Sequence, residues 1–228
     1  MIDREGYDRL LLRNPSNYKA GFWTTFVFEG RPHAISSTEP ASKMVMSAIK
    51  EQGSVHITGE YNSRERNPLV RVEDILWSKN VPVLLWRHGV RNTTDQVIKD
   101  LRMYLLMDFD LGGPRSYKDD MARYQPETGI MTVWDKTDLF AQIGSMPKPD
   151  SWDVSTPVKL TINETIRDLN KNLEIGPRDI VVGLQWNLDD VQPNDKASID
   201  VLLSAGTSLE EVSDSMNGSW NLFDKKMQ

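Results

Sequence analysis

Eight side chains in the first third of the chain are of the types that grip a single-stranded nucleic acid: Trp23, Arg31, His33, His56, Tyr61, Arg64, Arg66 and Arg71. Such a strand is held by cations along its phosphates and by aromatic rings on which its bases stack. Arg64 and Arg66 sit in the connector 62–68, and Arg71 lies between Val70 and Val72, so a strand period of two sends it away from a buried face. Trp23 is out of phase with Phe22 and Phe26, which points it outward. The plainer alternative is that Arg64 and Arg66 solubilise a loop while Tyr61 and Trp23 pack in a core.

Asp108 and Asp110 form a D-x-D pair that on a strand would aim two carboxylates the same way, toward a divalent ion. The competing reading is a helix end running into a polar turn. Asn187, Asp189, Asp190, Asp195 and Asp200 cluster around a later loop and read as an acidic solvated hairpin. His33, His56 and His88 show no metal-ligand spacing, and there is no phosphate-binding lysine after a glycine loop and no nucleophile elbow. The chain is therefore expected to be a binding protein, not an enzyme, with no cofactor.

The elements that carry these residues follow from periodicity. Val55, Ile57, Gly59 and Tyr61 alternate with polar residues, as do Val70 and Val72, which predicts two paired strands over 54–61 and 69–77. Upstream, Ala41, Met44, Val45, Ala48 and Ile49 follow helical spacing, and Thr38, Pro40 and Gly53 fit its cap, first turn and end. This predicts a helix over 39–52. A first strand is expected at 6–13, and a hairpin over 22–37 turning at Glu29 and Gly30.

The run AIKEQGSVHITGEYNSRERNPLVRVEDI resembles bacterial and phage single-stranded-DNA-binding proteins of the OB fold. There a helix ending in a Gly-Ser turn leads into a V-x-I-x-G strand, a variable loop and a last strand. The resemblance implies a five-stranded barrel over residues 1–80, nucleic-acid binding, and a phage origin. The stretch DIVVGLQWNLDD…ASIDVLL is faintly similar to the opening of TerD-type calcium-binding sandwiches.

Beyond a break at 78–82 the pattern is mixed. Strands are expected at 83–86, 130–134, 158–162, 179–186 and 197–204. Helices are expected over 94–107 from Thr94, around Leu139 and Ile143, after Asn163, and through Met216 from a Thr207–Glu210 capping box. The expected fold class is α+β, with an N-terminal OB-like β-barrel (1–80) followed by a mixed α/β second domain (81–228).

The chain has 228 residues, a net charge of −6 and no cysteine, which excludes disulfides and thiolate metal sites. The acidic charge lies beyond residue 80: residues 1–80 hold 11 basic and 10 acidic groups (11 − 10 = +1), and residues 81–228 hold 16 and 23 (16 − 23 = −7). An overall acidic chain argues against general polyanion binding but leaves room for a local basic stripe. No apolar run approaches the ~20 residues of a membrane span. The expected function is single-stranded nucleic-acid binding in the cytoplasm. The alternative is a virion or tail assembly protein that uses the barrel as an adaptor between subunits, in an oligomer. An enzyme with an OB accessory domain ranks third.

Overall fold

The computed structural model describes residues 20–36, 44–51, 53–62, 68–79, 81–113 and 116–227. The expected strand at 6–13, the cap at Thr38 and Pro40, and both Arg64 and Arg66 lie outside them. Strands β1 (Ala20–Phe28) and β2 (Arg31–Ser36) form the expected hairpin. Its turn holds Glu29 and Gly30 at φ of 50° and 74°, a conformation that suits glycine. Strands β3 (Met44–Glu51), β4 (Ser54–Asn62), β5 (Pro68–Lys79) and β6 (Val81–Asn92) follow as successive antiparallel neighbours.

Next come β7 (Lys99–Phe109), β8 (Met121–Gln125), β9 (Ile130–Trp134) and β10 (Phe140–Met146). They are followed by β11 (Ser151–Ser155), the two-residue β12 (Glu174–Ile175), β13 (Ile180–Asn187) and β14 (Lys196–Gly206). Among the described residues the one helix is α1 (Leu209–Met227), which is not long and apolar enough to cross a membrane.

These strands make two open sheets, ordered β11-β13-β7-β1-β2 and β12-β8-β9-β10-β14-β6-β5-β4-β3. Their inner faces meet in one core, with Phe22, Phe26, Leu105 and Trp186 from the smaller sheet against Val72, Val90, Ile143 and Val201 from the larger. The fold is a β-sandwich, which corrects the expected α+β class and OB-like barrel: neither sheet closes on itself, and strands from both halves of the chain share each sheet. At the expected break β5 and β6 are ladder neighbours, Lys79 pairing with Val81.

The failed helices have physical causes. The predicted 39–52 helix contains β3. Its apolar residues have helical spacing but no partner to bury that stripe, and β4 offers a full ladder of backbone bonds instead. The predicted 94–107 helix is largely β7, buried from Met103 to Phe109 on both faces. Double-sided burial erases the polar alternation that identifies a strand. Thr94 does not cap a helix; its backbone N–H and hydroxyl donate to Asn92 Oδ1 at 2.9 and 2.8 Å in an Asx turn.

The residues around Leu139 and Ile143 contribute to β10. After Asn163 no helix propagates, although Asn163 Oδ1 accepts from the Thr165 and Ile166 amides. The expected strand at 158–162 is irregular, and Val158 is exposed. The segment 156–173 instead lays Leu160, Ile162 and Leu169 over the outer face of the five-stranded sheet.

Helix α1 covers the opposite outer face with Met216 and Phe223 against Trp77, Leu85 and Leu202. Its capping box is one residue later than expected. Ser208 Oγ accepts the Glu211 amide at 3.1 Å, and Glu211 reaches back to Thr207.

Candidate functional site

The sandwich spreads the six described residues of the eight over more than one face. Trp23 points away from Phe22 and Phe26 as its phase requires, yet it is only 2% exposed, because Leu160, Ile162 and Leu169 cover it. Arg31 is exposed at the start of β2. Arg71 and His56 project from the outer face of the nine-stranded sheet, Arg71 held by Glu60 at 2.6 Å and His56 3.3 Å from Glu51. Arg64 and Arg66 lie outside the described residues. Trp23, in the other sheet and buried, is thus apart from His56 and Arg71.

Two of the eight do meet. His33 Nδ1 and Tyr61 Oη share a hydrogen bond of 3.1 Å that links β2 of the small sheet to β4 of the large one. Phe26 lies directly opposite His33 in the β1–β2 ladder and stacks on its ring, centroids 5.0 Å apart and planes within 10°. Tyr61 meets the same phenyl ring edge-on at 6.2 Å. Both polar rings are half-buried. Burial, and then the negative charge of Glu164, push the Tyr61 phenol upward. It keeps its proton at neutral pH.

A second imidazole lies deeper on the same inner face. His88 and Asp74 are directly opposite on β6 and β5, so the pleat sends both inward. Asp74 Oδ1 accepts from His88 Nδ1 at 2.7 Å and from Trp86 Nε1 at 2.8 Å. Where Asp74 accepts, His88 donates from Nδ1, and the carboxylate fixes the orientation of the ring. His88 Nε2 is buried without a hydrogen-bond partner, and His88 and Asp74 are 1% and 2% exposed. The strand pattern carried a signal for this pair. Asp74 is in phase with Val70 and Val72, and His88 with Leu84 and Trp86, although the strand expected at 83–86 stops short of His88.

At the other end of the sandwich Asp110, Asp120 and Asp135 are buried together. Met121 pairs with Trp134, so the next residues outward, Asp120 and Asp135, are cross-strand neighbours. Neither Asp120 oxygen completes a hydrogen bond. Burial, then the charges of Asp135 and Asp110, push its carboxyl up to about 9. Asp135 is occupied locally by the Thr137 and Leu139 amides.

Among the described residues no three histidine or acidic side chains gather into a group that could hold a metal ion; Asp108 lies in β7 and Asp110 follows it, both buried. The acidic loop is likewise tied into structure. Asp190 accepts the Asp100 amide, and Asp200 takes a two-pronged bond from Arg87 at 2.6 Å.

No protein-family model matches the sequence, and no curated protein does. Solved structures do share the fold. A bacterial glucoamylase complexed with acarbose superposes with a TM-score of 0.63 at 10% identity over 91% of this chain. This chain spans only 30% of that protein's length. A putative aldose 1-epimerase from Escherichia coli K12 gives 0.51 at 9% identity, covering 87% of this chain and 84% of its own. A GalM/aldose epimerase homologue from C. elegans gives 0.53 at 9%, covering 86% and 82%.

These likenesses establish a sandwich fold. They overturn the resemblance to OB-fold single-stranded-DNA-binding proteins and to TerD-type domains. The expected nucleic-acid binding and the virion or tail adaptor role fall with it. The expectation of a non-enzyme is corrected as well, the fold being one shared with proteins named as a glucoamylase, a putative aldose 1-epimerase and a GalM/aldose epimerase homologue.

Proposed function

We propose that the chain is a carbohydrate-processing enzyme that moves protons on an aldose at the His33–Tyr61 mouth. The observation that carries this reading is the His33–Tyr61 hydrogen bond against Phe26. It sets two proton-carrying groups of different acidity beside an apolar ring, in a half-open position. A pyranose fits such a place because its C–H face packs on an aromatic ring while its hydroxyls meet polar groups.

Interconversion of anomers needs only this equipment. A base takes the proton of the C1 hydroxyl while an acid protonates the ring oxygen, the C1–O5 bond opens to the aldehyde, and the ring recloses on the other face. No cofactor and no net proton are consumed. His33 is the proton acceptor, and Tyr61, kept protonated, donates to the ring oxygen.

One observation favours a second location for the same chemistry. His88 is oriented by Asp74 and leaves Nε2 unpartnered beside the half-buried Trp86. Phe22, stacked on His88, and Phe26, stacked on His33, are four residues apart on β1, roughly 13 Å by strand rise. The two sites are therefore separate.

Anomer exchange of D-glucose, D-galactose and D-xylose, followed by NMR exchange spectroscopy, tests both. Catalysed exchange that falls by about 10²-fold in His33→Asn and is weakened in Tyr61→Phe supports the mouth. Loss confined to His88→Asn moves the site inward. No catalysed exchange and no saturation transfer to any of the sugars sinks the reading.

A further inference from the structure

Strand β3 is the outermost strand of the nine-stranded sheet and pairs with β4 alone among the described strands. Natural edge strands are blunted by prolines, bulges, short length or charges along the strand. β3 has none of these over most of its length. It runs eight residues in unbroken register with β4, contains no proline, and carries charge only at Lys50 and Glu51. Its inner-face methionines, Met44 and Met46, fold over Gly59, where an added Cβ would meet both side chains. On the other face Val45 and Ile49 are 69% and 63% exposed.

We infer that this edge is the interface with a second copy of the chain, the two β3 strands pairing antiparallel about a two-fold axis at Ser47. A two-fold perpendicular to the sheet keeps outer face with outer face, so only residues of equal parity can oppose. Centring on Ser47 sets Val45 against Ile49 of the second copy, twice by symmetry, and Met46 against Ala48. β-branched pairs of this kind stabilise antiparallel ladders.

The same register sets Met44 against Lys50, so a charged residue flanks the apolar centre at each end. Centring on Ala48 instead would oppose Val45 to Glu51 and Met46 to Lys50. Of these registers only the one centred on Ser47 brings Val45 and Ile49, the strand's two most exposed apolar residues, against each other. The interface is a single strand pair, so the dimer is weak and reversible, below the ~1,200 Å² of stable complexes.

The chain has no cysteine, so Ser47→Cys introduces its one thiol on the proposed axis. Opposed Cα atoms of an antiparallel pair lie about 4.5–5.5 Å apart, within disulfide range. The full-length Ser47→Cys protein is expected to form a disulfide dimer under mild oxidation about tenfold faster than the control Thr58→Cys, whose site is on β4.

Sedimentation velocity of the wild type up to several hundred micromolar should show a concentration-dependent dimer. Ile49→Lys should abolish that dimer while leaving the melting temperature unchanged. Equal crosslinking of the two thiols, a wild type that stays monomeric, or an Ile49→Lys protein that still dimerises each overturns the proposal.

Discussion

His88 and Asp74 face each other across the β5–β6 ladder, Nδ1 to Oδ1 at 2.7 Å, inside a core where Phe22 lies flat on the imidazole with centroids 3.9 Å apart. One carboxylate oxygen thus satisfies two buried donors, His88 Nδ1–H and Trp86 Nε1–H. Asp74→Ala strands both. The expected loss is about 3–5 kcal/mol, the range for breaking a buried charged partnership. Asp74→Asn keeps an acceptor oxygen and should lose less than half of that. Urea midpoints at constant m-value check both; equal losses would show that the carboxylate's charge and second oxygen contribute nothing special.

Asp120 predicts an unusual pH dependence. Its folded pKa, about 9, lies above the 3.8 of an ordinary aspartate, because burial and then the charges of Asp135 and Asp110 oppose ionisation. The folded state therefore holds a proton that the unfolded state releases. The stabilisation this supplies is complete below about pH 4 and falls as pH rises toward 9, at up to about 1.4 kcal/mol per unit. Asp120→Asn, neutral throughout, should be the more stable protein at pH 8 and should flatten the slope between pH 5 and 8. Parallel slopes for wild type and variant would contradict this account.

The strands that could be read from the sequence are those with one wet face or a clear β-branched run. β4, β5, β9, β13 and β14 appear close to where alternation sets them. β7 and β10 were hidden by burial on both faces, which makes a strand resemble a helix core. β3 was hidden by a coincidence of spacing that only the ladder to β4 resolves. The types that make up the mouth, His33 and Tyr61, were legible as candidates. Their meeting was not, because it depends on packing β2 of one sheet against β4 of the other. Asp74 and His88 were legible in phase alone, as polar residues on a strand's apolar face.

The nine-stranded sheet runs across the expected boundary, since β6 pairs with β5 on one side and with β14, more than a hundred residues later, on the other. A fragment ending at residue 80 keeps β3, β4 and β5. It loses β6, β7 and the partners that cover Phe22, Phe26, Val70 and Val72. The fragment 1–80 is expected to show no cooperative thermal transition by circular dichroism, while the full chain shows one. A sharp transition in the fragment would establish an independent N-terminal domain.

The cover over Trp23 is held by a polar clasp centred on Arg167. Its Nη1 donates to Asp100 Oδ2 at 2.7 Å, its Nη2 to the Asp100 carbonyl at 2.6 Å and its Nε to Thr25 Oγ1 at 3.0 Å. Tyr104 adds a bond to the Arg167 carbonyl at 2.8 Å. The segment 156–173 has little regular structure of its own, so these bonds and the contacts of Leu160, Ile162 and Leu169 fix it to the sheet.

Burial pushes the Asp100 carboxyl upward, but the hydrogen bond from Arg102 and the charges of Arg167 and Arg102 outweigh it and hold the pKa below the usual value. With a depressed folded pKa, the clasp contributes fully above the unfolded value near 3.8 and weakens as pH falls through the folded one. Arg167→Leu should cost about 2–3 kcal/mol, the worth of hydrogen bonds between charged groups. It should also open the segment before the sandwich unfolds. Faster hydrogen exchange across 156–173, with β7 still protected, and a red shift of the Trp23 emission, isolated by difference against Trp23→Phe, are the expected signs. If exchange in the segment and in β7 accelerates together, the cover is part of the global fold and the clasp is not a local one.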